Sequence, residues 1–147
     1  MHIKIVKKDS ISDMDILQFI PQRQPMVLVS GLLSASEKSV TTWFQIEEGN
    51  IFVKDGRLQE SGLIENIAQS AAAMNGYRAR YEGGTVKNGY IGGIKNLEIF
   101  SLPESGDRLT TVVTETYRVM DVSIVFGEVK VKDKVIARCE MKVFMQS

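Results

Sequence analysis

One stretch of this chain, and one only, carries a sustained helical period. Leu63, Ile64, Ile67, Ala68, Ala71 and Ala72 recur at spacings of three and four, and the pattern runs on to about Tyr77. The other patterned segments read as strands. A first begins at Met26-Val27-Leu28-Val29. Residues 39–46 are rich in β-branched and aromatic side chains. Residues 90–100 form a strand interrupted by Gly92-Gly93, and 108–119 puts Leu109, Thr111 and Val113 on one face. Residues 123–131 and 135–144 flank the short polar turn Lys132-Asp133-Lys134, a hairpin signal. One helix cannot cover a flat sheet of five or six strands, so the sheet has to curl around it. The expected class is α+β: a curled antiparallel sheet wrapped around one long central helix. Such a sheet leaves an edge or face that two subunits commonly close.

Ser61 is the expected N-cap of the helix, and Gly76 followed by Gly83-Gly84 is expected to weaken and end it. Residues 13–20 read as one or two helical turns stopped by Pro21. The chain of 147 residues is expected to form a single domain.

Composition removes several kinds of chemistry. The one histidine, His2, lies at a terminus, which leaves no Ser-His-Asp triad and no His-rich zinc site. The one cysteine, Cys139, forms neither an internal disulfide nor a Cys-rich metal site. It falls in an apolar alternating run and reads as a small buried hydrophobe. Eighteen basic and eighteen acidic residues cancel, so nothing points to nucleic acid. No stretch approaches the ~18 apolar residues of a membrane span. Met1 to Lys8 is basic without an apolar run behind it, unlike a signal peptide, so the cytoplasm is the expected location. No cofactor or metal is expected.

Three segments carry a resemblance. Ile20-Pro21-Gln22-Arg23-Gln24-Pro25-Met26-Val27-Leu28-Val29 is similar to L-P-H-R-x-P-F-L-L-V-D. Leu63-Ile64-Glu65-Asn66-Ile67-Ala68-Gln69-Ser70-Ala71 is similar to I-I-E-A-M-A-Q-x-A. Gly92-Gly93-Ile94, followed by Ser105-Gly106-Asp107-Arg108-Leu109, is similar to A-G-I and P-G-D-x-L. Each is weak alone. Together, in order and spacing, they resemble the 3-hydroxyacyl-acyl-carrier-protein dehydratases, whose fold is the hot dog. The family's G-H-F-P-G-x-P loop is replaced by Asn50-Ile51-Phe52-Val53-Lys54-Asp55-Gly56-Arg57-Leu58, with Ile51 where the histidine falls. That run resembles a divergent branch, the second dehydratase-like protein of aryl polyene and flexirubin-type pigment clusters.

Dehydration of a 3-hydroxyacyl thioester needs a base for the carbon-bound proton and an acid for the leaving oxygen. The resemblance implies a histidine base and a helix carboxylate acid, drawn from different subunits of a dimer. Glu65 matches the carboxylate, and Asp55 and Asn50 are read as the polar groups nearest the lost histidine. Two readings of Glu65 stay open. It holds an inherited active-site position, or it is a first-turn glutamate favoured by the helix dipole. Asp55-Gly56 reads equally as a turn, and Asn50 as a cap. Gln69, one turn beyond Glu65, is a candidate to bind it or the substrate. Ile51, Phe52 and Asn50 are candidate substrate contacts at the altered loop. Gly93 matches the glycine that lines the acyl tunnel, or is a β-bulge.

The implied partner is an acyl carrier protein with its phosphopantetheine-linked acyl chain, met by Arg78, Arg80, Lys87 and Lys95 unless these are plain solvated surface. The implied assembly is a homodimer, or a heterodimer with a histidine-bearing homolog. The expected role is a dehydratase subunit in fatty-acid or polyene synthesis. The alternatives are a non-catalytic acyl-binding protein and a hot-dog thioesterase.

Overall fold

The computed structural model describes residues 15–81 and 89–146. After a 3-10 turn at Ile16–Gln18 come β1 (Gly31–Ala35), β2 (Ser39–Gln45) and a two-residue hairpin, β3 (Val53–Lys54) with β4 (Arg57–Leu58). A single long helix follows, α1 (Glu60–Tyr81), and then β5 (Gly89–Ile99), β6 (Arg108–Val119), β7 (Val122–Val131) and β8 (Lys134–Met145). Six strands form one antiparallel sheet in the order β1-β2-β6-β7-β8-β5, curled around α1 as a hot dog. Alternation decides which face turns inward. Leu109, Thr111 and Val113 of β6 and Val125 and Val129 of β7 are buried against Leu63, Ile67, Ala71 and Met74 of α1. Each large aliphatic side chain so buried contributes ~1.5–3 kcal/mol.

β6 has the bounds expected, and β5, β7 and β8 fall within one residue of theirs. Three expectations need correction. Residues 26–29 are not a ladder strand, and the first strand of the sheet is β1. The Leu28 N–H donates to Gln69 Oε1 (2.7 Å) and its carbonyl accepts from Asn66 Nδ2 (2.8 Å). Helix side chains thus replace a strand neighbour. The helix begins at Glu60, with Gln59 accepting from Gly62 and Leu63, so Ser61 lies inside the first turn. Gly76 does not weaken it. A Cβ there would stand 2.0 Å from the Phe19 carbonyl oxygen, so glycine is what lets the incoming segment cross against the helix. Gly83-Gly84 and His2 lie outside the described residues.

The C-terminal half of α1 is pinned from inside. Glu115 of β6 accepts from Ser123 Oγ (2.7 Å), and Arg78 Nη1 approaches the same oxygen to 3.4 Å, with Arg118 at 3.9 Å. Arg78 also donates to the Glu37 carbonyl. Arg78 is therefore an internal clamp rather than a cation presented to a carrier. Arg80 and Lys95 are exposed, and Lys87 lies outside the described residues.

Cys139 is fully buried on β8, and burial pushes its thiol from 9.0 up to about 11. Neutral-pH labelling with a thiol reagent should therefore fail on the folded chain and succeed in denaturant. The unfolded thiol ionises first as pH rises, so the stability this group contributes is present below 9 and lost between 9 and about 11. Denaturant midpoints across that window should fall less for Cys139→Ala than for the parent chain.

Candidate functional site

Glu65 stands in the second turn of α1, half-buried. Its neighbour one turn on, Gln69, is completely buried, and all of its visible bonding capacity is directional. Gln69 Oε1 is taken by the Leu28 N–H, which forces the amide nitrogen the other way. Nε2 then donates to the Met26 carbonyl (2.8 Å) and to Glu65 Oε2 (2.9 Å). Beside it, Asn66 Oδ1 accepts from Thr111 Oγ1 (2.6 Å) and Nδ2 donates to the Leu28 carbonyl, while Ser70 joins Thr42 (2.7 Å) and the Asn66 carbonyl (2.7 Å). These buried polar side chains are mutually satisfied, which makes the network rigid. One oxygen of Glu65 is held by it. The other, Oε1, has no hydrogen bond among the described residues.

Glu65 lines a cavity of about 250 Å³ between α1, the Phe19–Gln22 segment and the start of β5. Its helix wall is made of Ala68, Ala71, Ala72, Asn75 and Gly76, and the far wall of Gly89, Tyr90, Ile91 and Val143. From Glu65 to Asn75 is ten residues, or ~15 Å along the axis. The small alanine side chains leave this space open. Its size falls just below the ~300–1,000 Å³ of small-molecule pockets, which suits an extended chain better than a bulky head group.

The other expected residues lie elsewhere. Asp55 is exposed at the tip of the β3–β4 hairpin, with φ of 53° followed by 75° at Gly56, the positive pair a two-residue turn needs. It is not among the described residues that line the Glu65 cavity. Asn50 Oδ1 accepts from the Phe52 N–H (2.8 Å), fixing the loop, and Phe52 packs against the core. Asn50 and Ile51 border a separate groove of about 490 Å³ with Pro25, Val27, Val29 and Phe44. Gly93 faces open space on β5, just past a bulge at Gly92, in a third groove with Lys95, Ile124 and Lys142. Within one subunit Gln69 meets Glu65, Asn50 groups with Ile51 and Phe52 at the separate loop, and Asp55 and Gly93 line neither cavity. Among the described residues no three His, Cys, Asp or Glu side chains gather where they would hold a metal ion.

β5 is an edge strand, and ten of its eleven residues are exposed. Tyr90, Ile91, Ile94 and Leu97 are among the large apolar side chains left open to solvent. Nothing in the sequence marks Thr111, Ser70 or Gln22 as part of the site. Polar side chains buried by tertiary contacts look the same in a sequence as solvated ones. The one available signal was Asn66 and Gln69 on the inward side of an otherwise apolar helix.

Among solved structures, the dehydratase heterocomplex ApeI:P from Xenorhabdus doucetiae aligns with a TM-score of 0.85 at 16% identity, covering 91% of this chain and 92% of that one. An uncharacterized protein from Pyrococcus horikoshii gives 0.67 at 11%, covering 88% and 92%. A hypothetical thioesterase with coenzyme A from Streptococcus pneumoniae gives 0.64 at 8%, covering 79% and 84%. At these identities the likeness is one of fold. No curated protein matches the chain. No helix among the described residues is long and apolar enough to cross a membrane. The sequence pattern of the ApeP-like dehydratases does match, over residues 14–147, and the chain therefore belongs to the ApeP-like dehydratase family.

Proposed function

We propose that this chain is one subunit of a heterodimeric dehydratase for 3-hydroxyacyl thioesters, and that Glu65 is its acid. The observation that carries the reading is the placement of Glu65: one oxygen anchored by Gln69, the other without a hydrogen bond among the described residues, beside an alanine-walled cavity. The missing imidazole comes from the partner. In the step, the partner's neutral histidine takes the proton next to the thioester carbonyl. The carbon–oxygen bond at position 3 breaks as Glu65, protonated, gives its proton to the departing oxygen. The products are the enoyl thioester and water, and a proton passing back from imidazolium to carboxylate resets the pair.

The exposed edge β5 supports assembly with a second subunit, and the fold relative from Xenorhabdus doucetiae is itself a dehydratase heterocomplex. The substrate is delivered on an acyl carrier protein in the cytoplasm, for fatty-acid or polyene synthesis. Ile51, with no ionisable group, leaves the reciprocal site without a base, so one working site per dimer is expected.

The test is a dehydration assay on a 3-hydroxyacyl thioester, with this chain alone and co-purified with a histidine-bearing homolog. Turnover should require both chains. Turnover by this chain alone would overturn the shared site and move attention to Asp55. Release of free thiol instead of water would replace the reading with a thioesterase, and no chemistry with retained acyl thioester would leave a binding protein.

A further inference from the structure

The solvent face of the sheet is not uniform. On β7 and β8 the alternate residues Val125, Met141 and Val143 are buried, so their neighbours along each strand point outward. Strand register lines the outward side chains up in rows that cross β6, β7, β8 and β5. The row nearest the β6–β7 hairpin is Val119, Val122, Phe144 and Tyr90, and the next is Tyr117, Ile124, Lys142 and Gly93. A third runs through Phe126, Glu140 and Lys95. Beyond it the face turns charged and is closed by ion pairs, Glu98 with Arg138 (3.1 Å) and Glu128 with Lys130 (3.9 Å). In the apolar part, Tyr90, Tyr117, Val119, Phe126 and Phe144 are between 38% and 58% exposed. At ~150–250 Å² for a whole aromatic side chain, these five leave roughly 400–500 Å² of apolar surface in one place, a size that is commonly functional. It is about half of the ~800 Å² that each partner gives to a stable interface, and Val122, Ile124, Lys142 and the strands' flanking residues supply the rest.

We propose that this face packs back to back on the same face of a second copy of this chain, about a twofold axis that runs along β7. Nothing in the contact depends on the dehydratase chemistry. Such an axis sets β7 on its own counterpart, so Ile124 and Phe126 each meet themselves, and it sets β6 of one copy over β8 and β5 of the other. Tyr117 then comes down on Lys142 and on the groove of about 290 Å³ beside Gly93, where nothing lies within 4 Å of the position a Cβ would take. Val119 comes down on Phe144. Knob and hole thus belong to one row of one surface, as an isologous contact requires. Lys142 already stands 5.4 Å from the centre of the Phe144 ring, and Tyr117 of the second copy gives its ammonium another aromatic face. Charge argues against an acidic carrier protein as the occupant. Glu140 lies opposite Lys95 and two residues from Lys142, which leaves little positive field to steer one. The edge of β5 stays available to a different subunit, because this contact uses the side chains of the face and not the backbone groups of the edge.

The experiment combines cross-linking with sedimentation, on the chain alone and on the chain co-purified with a histidine-bearing homolog. In Phe126→Cys the new thiol is the one that reacts, since Cys139 is buried and its thiol is pushed up to about 11. A bismaleimide with a spacer of about 10 Å, the distance between stacked sheets, should join two copies of this chain. Phe126→Glu sets a carboxylate against its own copy, and Tyr117→Lys sets an ammonium against Lys142 twice per contact. Each should weaken the association by at least ~100-fold and halve the sedimenting mass at a fixed concentration, with the circular dichroism unchanged. Adding Lys142→Glu to Tyr117→Lys should restore the parent mass, a rescue that a loss of folding would not show. Should Phe126→Glu fail to fold, Tyr117→Lys and its rescue decide the matter. A parent particle with one copy of this chain, a cross-link made only to another protein, a mass unmoved by both variants, or no rescue by the double variant would each overturn the proposal. The chain alone gives the same readings whether or not a dehydratase partner exists, so failure of the shared-site model is separately visible.

Discussion

Glu65→Gln in the assembled dehydratase should lower turnover of a 3-hydroxyacyl thioester by roughly 10²–10⁴-fold, the usual contribution of a positioned general acid. The substitution keeps the side-chain length, and its amide oxygen can still accept from Gln69 Nε2. The anchoring of Leu28 and Met26 does not pass through residue 65, since Gln69 and Asn66 make those bonds. Assembly and melting temperature should therefore stay near the parent values while kcat falls and KM changes little. A variant within about threefold of parent kcat would remove Glu65 from the chemistry. The first-turn reading of Glu65 does not survive, because the helix starts at Glu60 and puts Glu65 in the second turn, where the dipole has largely faded.

Gly76→Ala should be the most disruptive single methyl in the described chain. The added carbon would meet Phe19 backbone atoms at 2.0, 2.7 and 2.8 Å, and backbone cannot rotate aside as a side chain does. Either α1 retreats from the sheet or the Phe19 segment lifts off. Overpacking of this kind costs about 1–3 kcal/mol and at times more. For a chain of this size that is a fall in melting temperature of roughly 3–10 °C. The same movement would displace Phe19, Pro21 and Gln22, which form one side of the Glu65 cavity. Acyl-thioester affinity should drop along with stability. A variant with unchanged melting temperature would mean that this crossing is looser than the structure has it.

The parts of the fold that were legible in the sequence are those where pattern and environment agree. On β6, Leu109, Thr111 and Val113 alternate because one sheet face meets α1, and its bounds were readable to the residue. Residues 26–29 look like a strand by composition. Their partners, Gln69 and Asn66, are some forty residues away and bond through side chains, which no local pattern encodes. Gly76 looks like a helix breaker until the crossing of Phe19 is known. In the candidate site, Glu65 and Gln69 were readable as an i, i+4 pair and do touch. Asp55 reads as an acid near the altered loop, but the Asp55-Gly56 dipeptide is spent on a hairpin turn. Gln22 was hidden because the polar run Gln22-Arg23-Gln24 between two prolines carries no sign of burial.

Strand β5 has a bearing on how such a subunit can be supplied. A long edge with open backbone groups and apolar side chains is a template for any extended segment that meets it. A correct partner silences that template, whereas a surplus of this chain leaves it available for self-association. Under the proposed heterodimer, catalytic output and solubility would depend on one ratio, the number of copies of this subunit relative to its counterpart, and a cell making both would have reason to keep their synthesis in step.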